Sequence, residues 1–168
     1  ARLDDGIDAV IISHMRGHTS DMDAIMDLCQ ARGIPVVEDA AHSLGTTWHG
    51  RNIGTIGRIG CFSFQSYKLV NAGEGGILIT DDADLVARAA FARWQNRLPL
   101  YTLRMGNLSA AIIRPQLAEV PRRVRDGRAN HDHVAAKLNA SPWLYVPEKL
   151  EPEDRAPESI QFNLVGLS

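Results

Sequence analysis

The chain has 168 residues, 45% of them hydrophobic and 23% charged, which suffices for one globular core and excludes wholesale disorder. Eighteen Lys and Arg against 20 Asp and Glu leave a formal net charge of −2, so no global basic field draws the chain to nucleic acid or anionic lipid. The longest apolar runs, such as Val10-Ile11-Ile12, fall far short of a membrane span, and a soluble cytoplasmic protein is expected.

Residues 9–13 form a short β-branched run of the kind that makes a strand buried on both faces. Thr19 and Ser20 offer N-caps, and Asp21 and Asp23 suit the positive start of a helix. Met22, Ile25, Met26 and Cys29 then recur at helical spacing up to the stop at Gly33. Residues 35–39 read as a second strand, so that 9–39 make one β-α-β unit and the fold class is α/β. Trp48-His49-Gly50-Arg51 followed by Gly54, Gly57 and Gly60 predicts turns or a small hairpin. Residues 61–64 and 76–80 are two further strands around a polar, glycine-rich loop.

Asp81 or Asp82 can cap a helix that turns Leu85, Val86, Ala89 and Ala90 inward and ends near Arg93. A helix over about 107–119 is expected to kink at Pro115. Another over about 121–139 starts on a tolerated Pro and holds Val124, Val134, Ala135 and Leu138 inward. Residues 141–157 read as a connector, and 158–167 as an incipient strand with no visible partner. Cys29 and Cys61 form no C-x-x-C pair and are expected as small buried hydrophobes.

Ligands of parallel sheets bind beyond the carboxyl ends of the strands, so the residues that follow each strand are the candidates. Asp39 ends the second strand, Ser63 lies near the end of the third, and Lys68 follows in a loop closed by Gly73-Glu74-Gly75-Gly76. A carboxylate, a hydroxyl and a lone lysine on one sheet edge suit an aromatic cofactor that carries a phosphate. Pyridoxal phosphate needs such groups: an amine for a Schiff base, a carboxylate to keep the pyridine nitrogen protonated, and hydroxyls for the phosphate. Ser13-His14-Met15-Arg16-Gly17-His18 does not supply the G-x-G-x-x-G of a dinucleotide site. His14 with His18, and His131 with His133, close no metal ligand set. Arg122, Arg123, Arg125 and Arg128 read as a solvated helix face, not a nucleic-acid patch.

Glu38-Asp39-Ala40-Ala41-His42-Ser43-Leu44-Gly45, then Phe62-Ser63-Phe64-Gln65-Ser66-Tyr67-Lys68, then Gly73-Glu74-Gly75-Gly76 make a longer pattern. With Arg104-Met105-Gly106-Asn107-Leu108-Ser109-Ala110-Ala111 and Gln116-Leu117, it resembles the DegT/StrS sugar aminotransferase family of fold-type I pyridoxal phosphate enzymes over most of residues 9–120. By that resemblance Lys68 would be the Schiff-base lysine and Asp39 the partner of the pyridine nitrogen, the two catalytic residues. His42 would neighbour the ring's phenolic oxygen and Ser63 would hold the phosphate, completing the cofactor-binding set. Some family members carry histidine in place of the lysine and dehydrate sugars, so Lys68 argues for transamination.

The resemblance implies transfer of an amino group from Glu or Gln to a nucleotide-linked keto sugar or a cyclitol ketone, by a homodimer. It implies that residues 1–118 are part of a large three-layer α/β/α domain with a mixed sheet, and that 119–168 are a connecting helix and the start of a small carboxyl-terminal α+β domain. Gln65 and Ser66 stand where many members carry His-Pro, and Thr102 where many carry an Asn that reaches the neighbouring subunit's phosphate. Family proteins are longer, so an internal fragment with little activity of its own is expected. The alternative is a catalytically silent dimerisation or phospho-ligand-binding module, against which the retained Lys68 and Asp39 speak.

Overall fold

A computed structural model describes residues 6–94 and 105–166. The first half runs β1 (Val10–Ser13), a single 3-10 turn (Met15–Gly17), α1 (Met22–Gln30), β2 (Val36–Asp39), β3 (Thr47–Trp48), β4 (Arg51–Asn52) and β5 (Ile59–Ser63). The second half runs β6 (Gly76–Ile79), α2 (Ala83–Trp94), α3 (Asn107–Leu117), α4 (Val120–Asn139), β7 (Leu144–Tyr145), β8 (Glu153–Asp154) and β9 (Asn163–Leu164). Thr102 and Arg104, named above, lie outside the described residues.

The central sheet has the order β1-β2-β5-β6. The first three strands are parallel and β6 is antiparallel to β5, so the fold is a mixed α/β sheet as expected. Register decides where the chemistry falls. Ser13 stands opposite Asp39, Asp39 opposite Cys61, and Ser63, two residues further along β5, opposite Gly76. One sheet edge therefore collects the residues at the carboxyl ends of all three parallel strands.

Helix α1 starts where its cap can act. Asp21 is the N-cap, its Oδ1 accepting from Ala24 N–H at 3.0 Å. The cap is therefore not Thr19 or Ser20 as expected; Thr19 is committed elsewhere, its hydroxyl donating to Glu153 at 2.9 Å. Buried Met22 packs with Ala40, Trp48 and Ile53, while Ile25, Met26 and Phe62 close the cluster from its edge. Full burial of one such side chain is worth about 1.5–3 kcal/mol, which ties α1 to the sheet and to the hairpin of β3 and β4. A second cluster of Phe64, Val70 and Ile113, flanked by Leu44, Ala72 and Val120, fixes the loop after β5 against α3.

Several expectations change. β1 is not buried on both faces, because Ile11 is 69% exposed. In α2, Val86, Ala89 and Ala90 are exposed, and in α4 Val134 is exposed while Val124 is buried. No described element covers those faces. α3 runs unbroken through Pro115 to Leu117; the proline forfeits its own N–H bond to the carbonyl four residues back, and only two helical residues follow it. Cys29 is buried but Cys61 is only partly so; both are free thiols.

The expected connector 141–157 contains two strands: β7 pairs with β9, and β8 pairs with β3. The incipient strand at the end of the chain thus has a partner, but pairs over Asn163–Leu164 alone. Among the described residues no helix is long and apolar enough to cross a membrane.

Candidate active site

The adjacent carboxylates Glu38 and Asp39 point to opposite faces of β2, as successive strand residues must. Glu38 is fully buried. It accepts N–H bonds from Gly54 (2.8 Å), Ile56 (2.6 Å) and Gly57 (2.5 Å), and its Oε2 lies 3.2 Å from His14 Nε2. Burial alone would raise its pKa, but the hydrogen bonds from His14 and the three backbone amides outweigh it and hold the carboxyl below its ordinary value. Glu38 is thus the structural member of the pair, organising the turn that leads into β5.

Asp39 takes the other face. Ser13 Oγ donates to its Oδ2 at 2.9 Å and Ala41 N–H to its Oδ1 at 3.2 Å. Its negative charge reaches two neighbours: it raises the pKa of Cys61, behind the larger effect of burial, and it favours the charged form of Lys68. Ser63, at the end of β5, accepts from Gln65 N–H at 3.3 Å, which leaves its own hydroxyl proton for another acceptor.

Lys68 lies in a loop held from several sides. Phe64 N–H donates to Gly75 O at 2.8 Å and Ala72 N–H to Phe64 O at 2.9 Å, which pinches the loop at its base. Lys68 N–H closes a turn onto Gln65 O at 2.9 Å. Val70 is fully buried between α3 and the sheet end, and Arg123 of α4 donates to Leu69 O. Arg123 and Arg128, which also donates to the backbone O of Arg155, are therefore clamps and not a solvated face.

The Lys68 side chain is 3% exposed, with Nζ 3.0 Å from His42 Nε2, 4.0 Å from Glu158 Oε2 and 4.8 Å from the centre of the Tyr67 ring. Burial lowers the amine's pKa; Glu158 and Asp39 oppose that shift and Arg16 adds to it.

Of the four residues singled out in the sequence, Lys68 and His42 are in direct contact. Asp39 is near enough for its charge to act on Lys68. Ser63 stands at the neighbouring strand end and makes no hydrogen bond to the other three among the described residues. Sequence reasoning missed Glu158. It lies 89 residues beyond Leu69, whose N–H it holds at 3.0 Å, and its Oε2 is 3.4 Å from His42 Nδ1. No local signal marks it, since nothing in Ala156-Pro157-Glu158-Ser159 announces a contact with the loops that follow β2 and β5. The sequence marks Tyr67 only within a motif and gives Ser13 no role in the site. Among the described residues no group of three or more His, Cys, Asp or Glu could hold a metal ion.

A mixed α/β sheet with a buried lysine beyond its carboxyl edge has the large-domain layout of fold-type I pyridoxal phosphate enzymes. Residues 3–165 match the DegT/DnrJ/EryC1/StrS aminotransferase family, and the chain belongs to that family. It is 37% identical over 129 residues to the putative pyridoxal phosphate-dependent aminotransferase EpsN of Bacillus subtilis, covering 71% of this chain and 33% of that protein. It is 41% identical over 90 residues to the L-glutamine:scyllo-inosose aminotransferase of Streptomyces griseus, covering 54% of this chain and 21% of the relative. The crystal structure of DesI in the presence of its TDP-sugar product superimposes with a TM-score of 0.83 at 28% identity, over 96% of this chain and 43% of that one. The match thus spans about a third or less of these curated relatives and under half of the solved structure.

Proposed function

We propose that this chain carries the cofactor-binding lysine of a pyridoxal phosphate-dependent aminotransferase, which moves an amino group from Glu or Gln to a keto sugar or cyclitol ketone. The observation that carries the reading is the Lys68 amine: buried, lowered in pKa, and set beyond the same sheet edge as the Asp39 carboxylate. The substrate class rests on the family and on the relatives named above, one of which acts on scyllo-inosose and another of which was crystallised with a TDP-sugar.

The donor set fits pyridoxal phosphate. Lys68 would hold it covalently, Asp39 would face the pyridine nitrogen, Ser63 would donate to the phosphate, and His42 would stand beside the ring oxygen. When bound, the group supplies an electron sink for the carbon that loses its proton. The rest is the work of this chain's residues. Burial keeps a larger share of the Lys68 Nζ in the free-base form, in which the amine is a nucleophile and a proton acceptor. Asp39, fixed by Ser13 and Ala41, keeps a carboxylate charge where a pyridine N–H needs it.

Borohydride reduction of the protein with pyridoxal phosphate, followed by peptide mapping, should place the pyridoxyl adduct on Lys68. An adduct elsewhere, or none, sinks the assignment. Amino transfer from glutamate or glutamine to keto-sugar and cyclitol ketones, each assayed separately, then identifies donor and acceptor.

A further inference from the structure

We propose that Glu158 is a positioning residue for Lys68 that acts through His42: its Oε2 favours the tautomer protonated on His42 Nδ1 and so leaves the lone pair of Nε2 to the lysine amine. The inference rests on the reading of Lys68 as the cofactor-binding lysine, and it assigns a role to a segment that arrives from the far end of the chain.

The geometry makes the case. His42 bridges the two residues, with Nε2 3.0 Å from Lys68 Nζ and Nδ1 3.4 Å from Glu158 Oε2. An amine that donates to Nε2 requires Nε2 to be unprotonated, which leaves the proton of a neutral imidazole on Nδ1. Nδ1 faces a carboxylate oxygen, and the opposite tautomer would set two lone pairs against each other there. Glu158 is itself fixed, because its Oε1 accepts from Leu69 N–H at 3.0 Å. Its Oε2 is buried and has no hydrogen-bond partner among the described residues, so its need for a donor is open on the side where His42 Nδ1 lies. The carboxylate is 10% exposed and the lysine 3%, so water screens the pair poorly.

The groups that face Lys68 are Glu158 from the terminal segment, Asp39 from β2, Arg16 from the turn after β1, His42 from the loop after β2, and the ring of its neighbour Tyr67. Of the two carboxylates that favour the ammonium against burial, Glu158 has the larger effect. A proton leaving Nζ can pass to Nε2, forming an imidazolium whose charge Glu158 balances, and it returns by the same path.

A purely structural Glu158 would serve only to staple Leu69 N–H. Glu158→Gln separates the roles: the amide oxygen can still accept from Leu69, while the amide N–H now meets Nδ1 and selects the other tautomer. Nitrogen NMR of the full-length protein freed of pyridoxal phosphate should show His42 protonated on Nδ1 in the parent and on Nε2 in Glu158→Gln. Competitive acylation of Lys68 against pH, resolved by peptide mass spectrometry, should place its midpoint about one pH unit lower in Glu158→Gln, with Glu158→Asp much closer to the parent.

His42 protonated on Nε2 in the parent overturns the proposal, and that measurement needs no variant. So does a Glu158→Gln midpoint equal to that of the parent. Mapping the borohydride adduct in the same samples separates the two layers. An adduct away from Lys68 overturns the functional reading, whereas an adduct on Lys68 with an unmoved midpoint overturns the positioning role alone.

Discussion

The side-chain amide of Gln116 bonds both backbone groups of Asn71: Nε2 donates to Asn71 O at 2.7 Å, and Oε1 accepts from Asn71 N–H at 3.3 Å. Arg123 Nη1 donates to the same Oε1 at 3.0 Å and orients the amide. Gln116 of α3 thus does for the Lys68 loop what a neighbouring strand would do, three residues from the amine. Gln116→Leu keeps the bulk and leaves both Asn71 groups unpaired, so it should cost about 2 kcal/mol. Urea unfolding measures this, and the yield of the Lys68 adduct should fall with it. An unchanged midpoint in urea would show that water replaces the amide freely.

Glu38 predicts a pH dependence. Its folded pKa is depressed below the ordinary value of 4.5, because hydrogen bonds from His14 and three backbone amides outweigh a burial effect of the opposite sign. A depressed carboxylate contributes stability that is present above the unfolded pKa and is lost as pH falls through the folded one. Stability should therefore decline as pH drops below about 4.5, and the decline should flatten in Glu38→Gln. That variant should also cost about 2 kcal/mol at neutral pH, since its amide N–H opposes a backbone donor. Denaturant midpoints from pH 3 to 7 test both claims; parallel curves for parent and variant would remove Glu38 as the source.

Two glycines should respond differently to the same substitution. A Cβ on Gly60 would lie 2.0 Å from Gly54 O, which is backbone and cannot swing aside. Gly60→Ala should cost about 3 kcal/mol, at the upper end of overpacking. Gly50, at φ +77°, has nothing within 4 Å of its Cβ position. Gly50→Ala should therefore cost only the left-handed conformation, about 1 kcal/mol. Thermal unfolding of the two variants side by side gives the comparison, and equal losses would contradict it.

The sheet was legible where short-range chemistry makes it. β1, β2, β5 and β6 are β-branched or apolar runs bounded by turn residues, and α1 shows its buried face in Met22 and Cys29 at helical spacing. β7 and β8 were not legible, because two-residue strands have no period and pairing with a distant partner creates them, whereas β9 falls within the strand expected over 158–167. The candidate residues Lys68, Asp39, His42 and Ser63 are marked in the sequence by motif and by position after strands. Glu158 could not be, because its part depends on a contact across 89 residues. The inward face read into α2 failed at Val86, Ala89 and Ala90, and that of α4 at Val134 alone, for a related reason: periodicity says which residues share a face, not whether anything described packs on it.

Each of the two Asp39 oxygens is held by one donor, Oδ2 by Ser13 Oγ and Oδ1 by Ala41 N–H. Asp39→Asn has the same shape and removes only the charge. Its Oδ1 can still accept from Ala41, and Ser13 can reverse to accept from the amide, so the fold should lose less than about 1 kcal/mol. The chemistry should lose far more. A neutral amide cannot stabilise a protonated pyridine nitrogen as a carboxylate does, so the first half-reaction with the amino donor should slow about 100-fold or more. Lys68 should still carry the borohydride adduct, because covalent attachment does not depend on that charge. Stopped-flow absorbance of the half-reaction, adduct mapping and urea unfolding on one preparation separate the three effects. A half-reaction near the parent rate, with the adduct intact, would make Asp39 a structural group and leave the electron sink without its counter-charge.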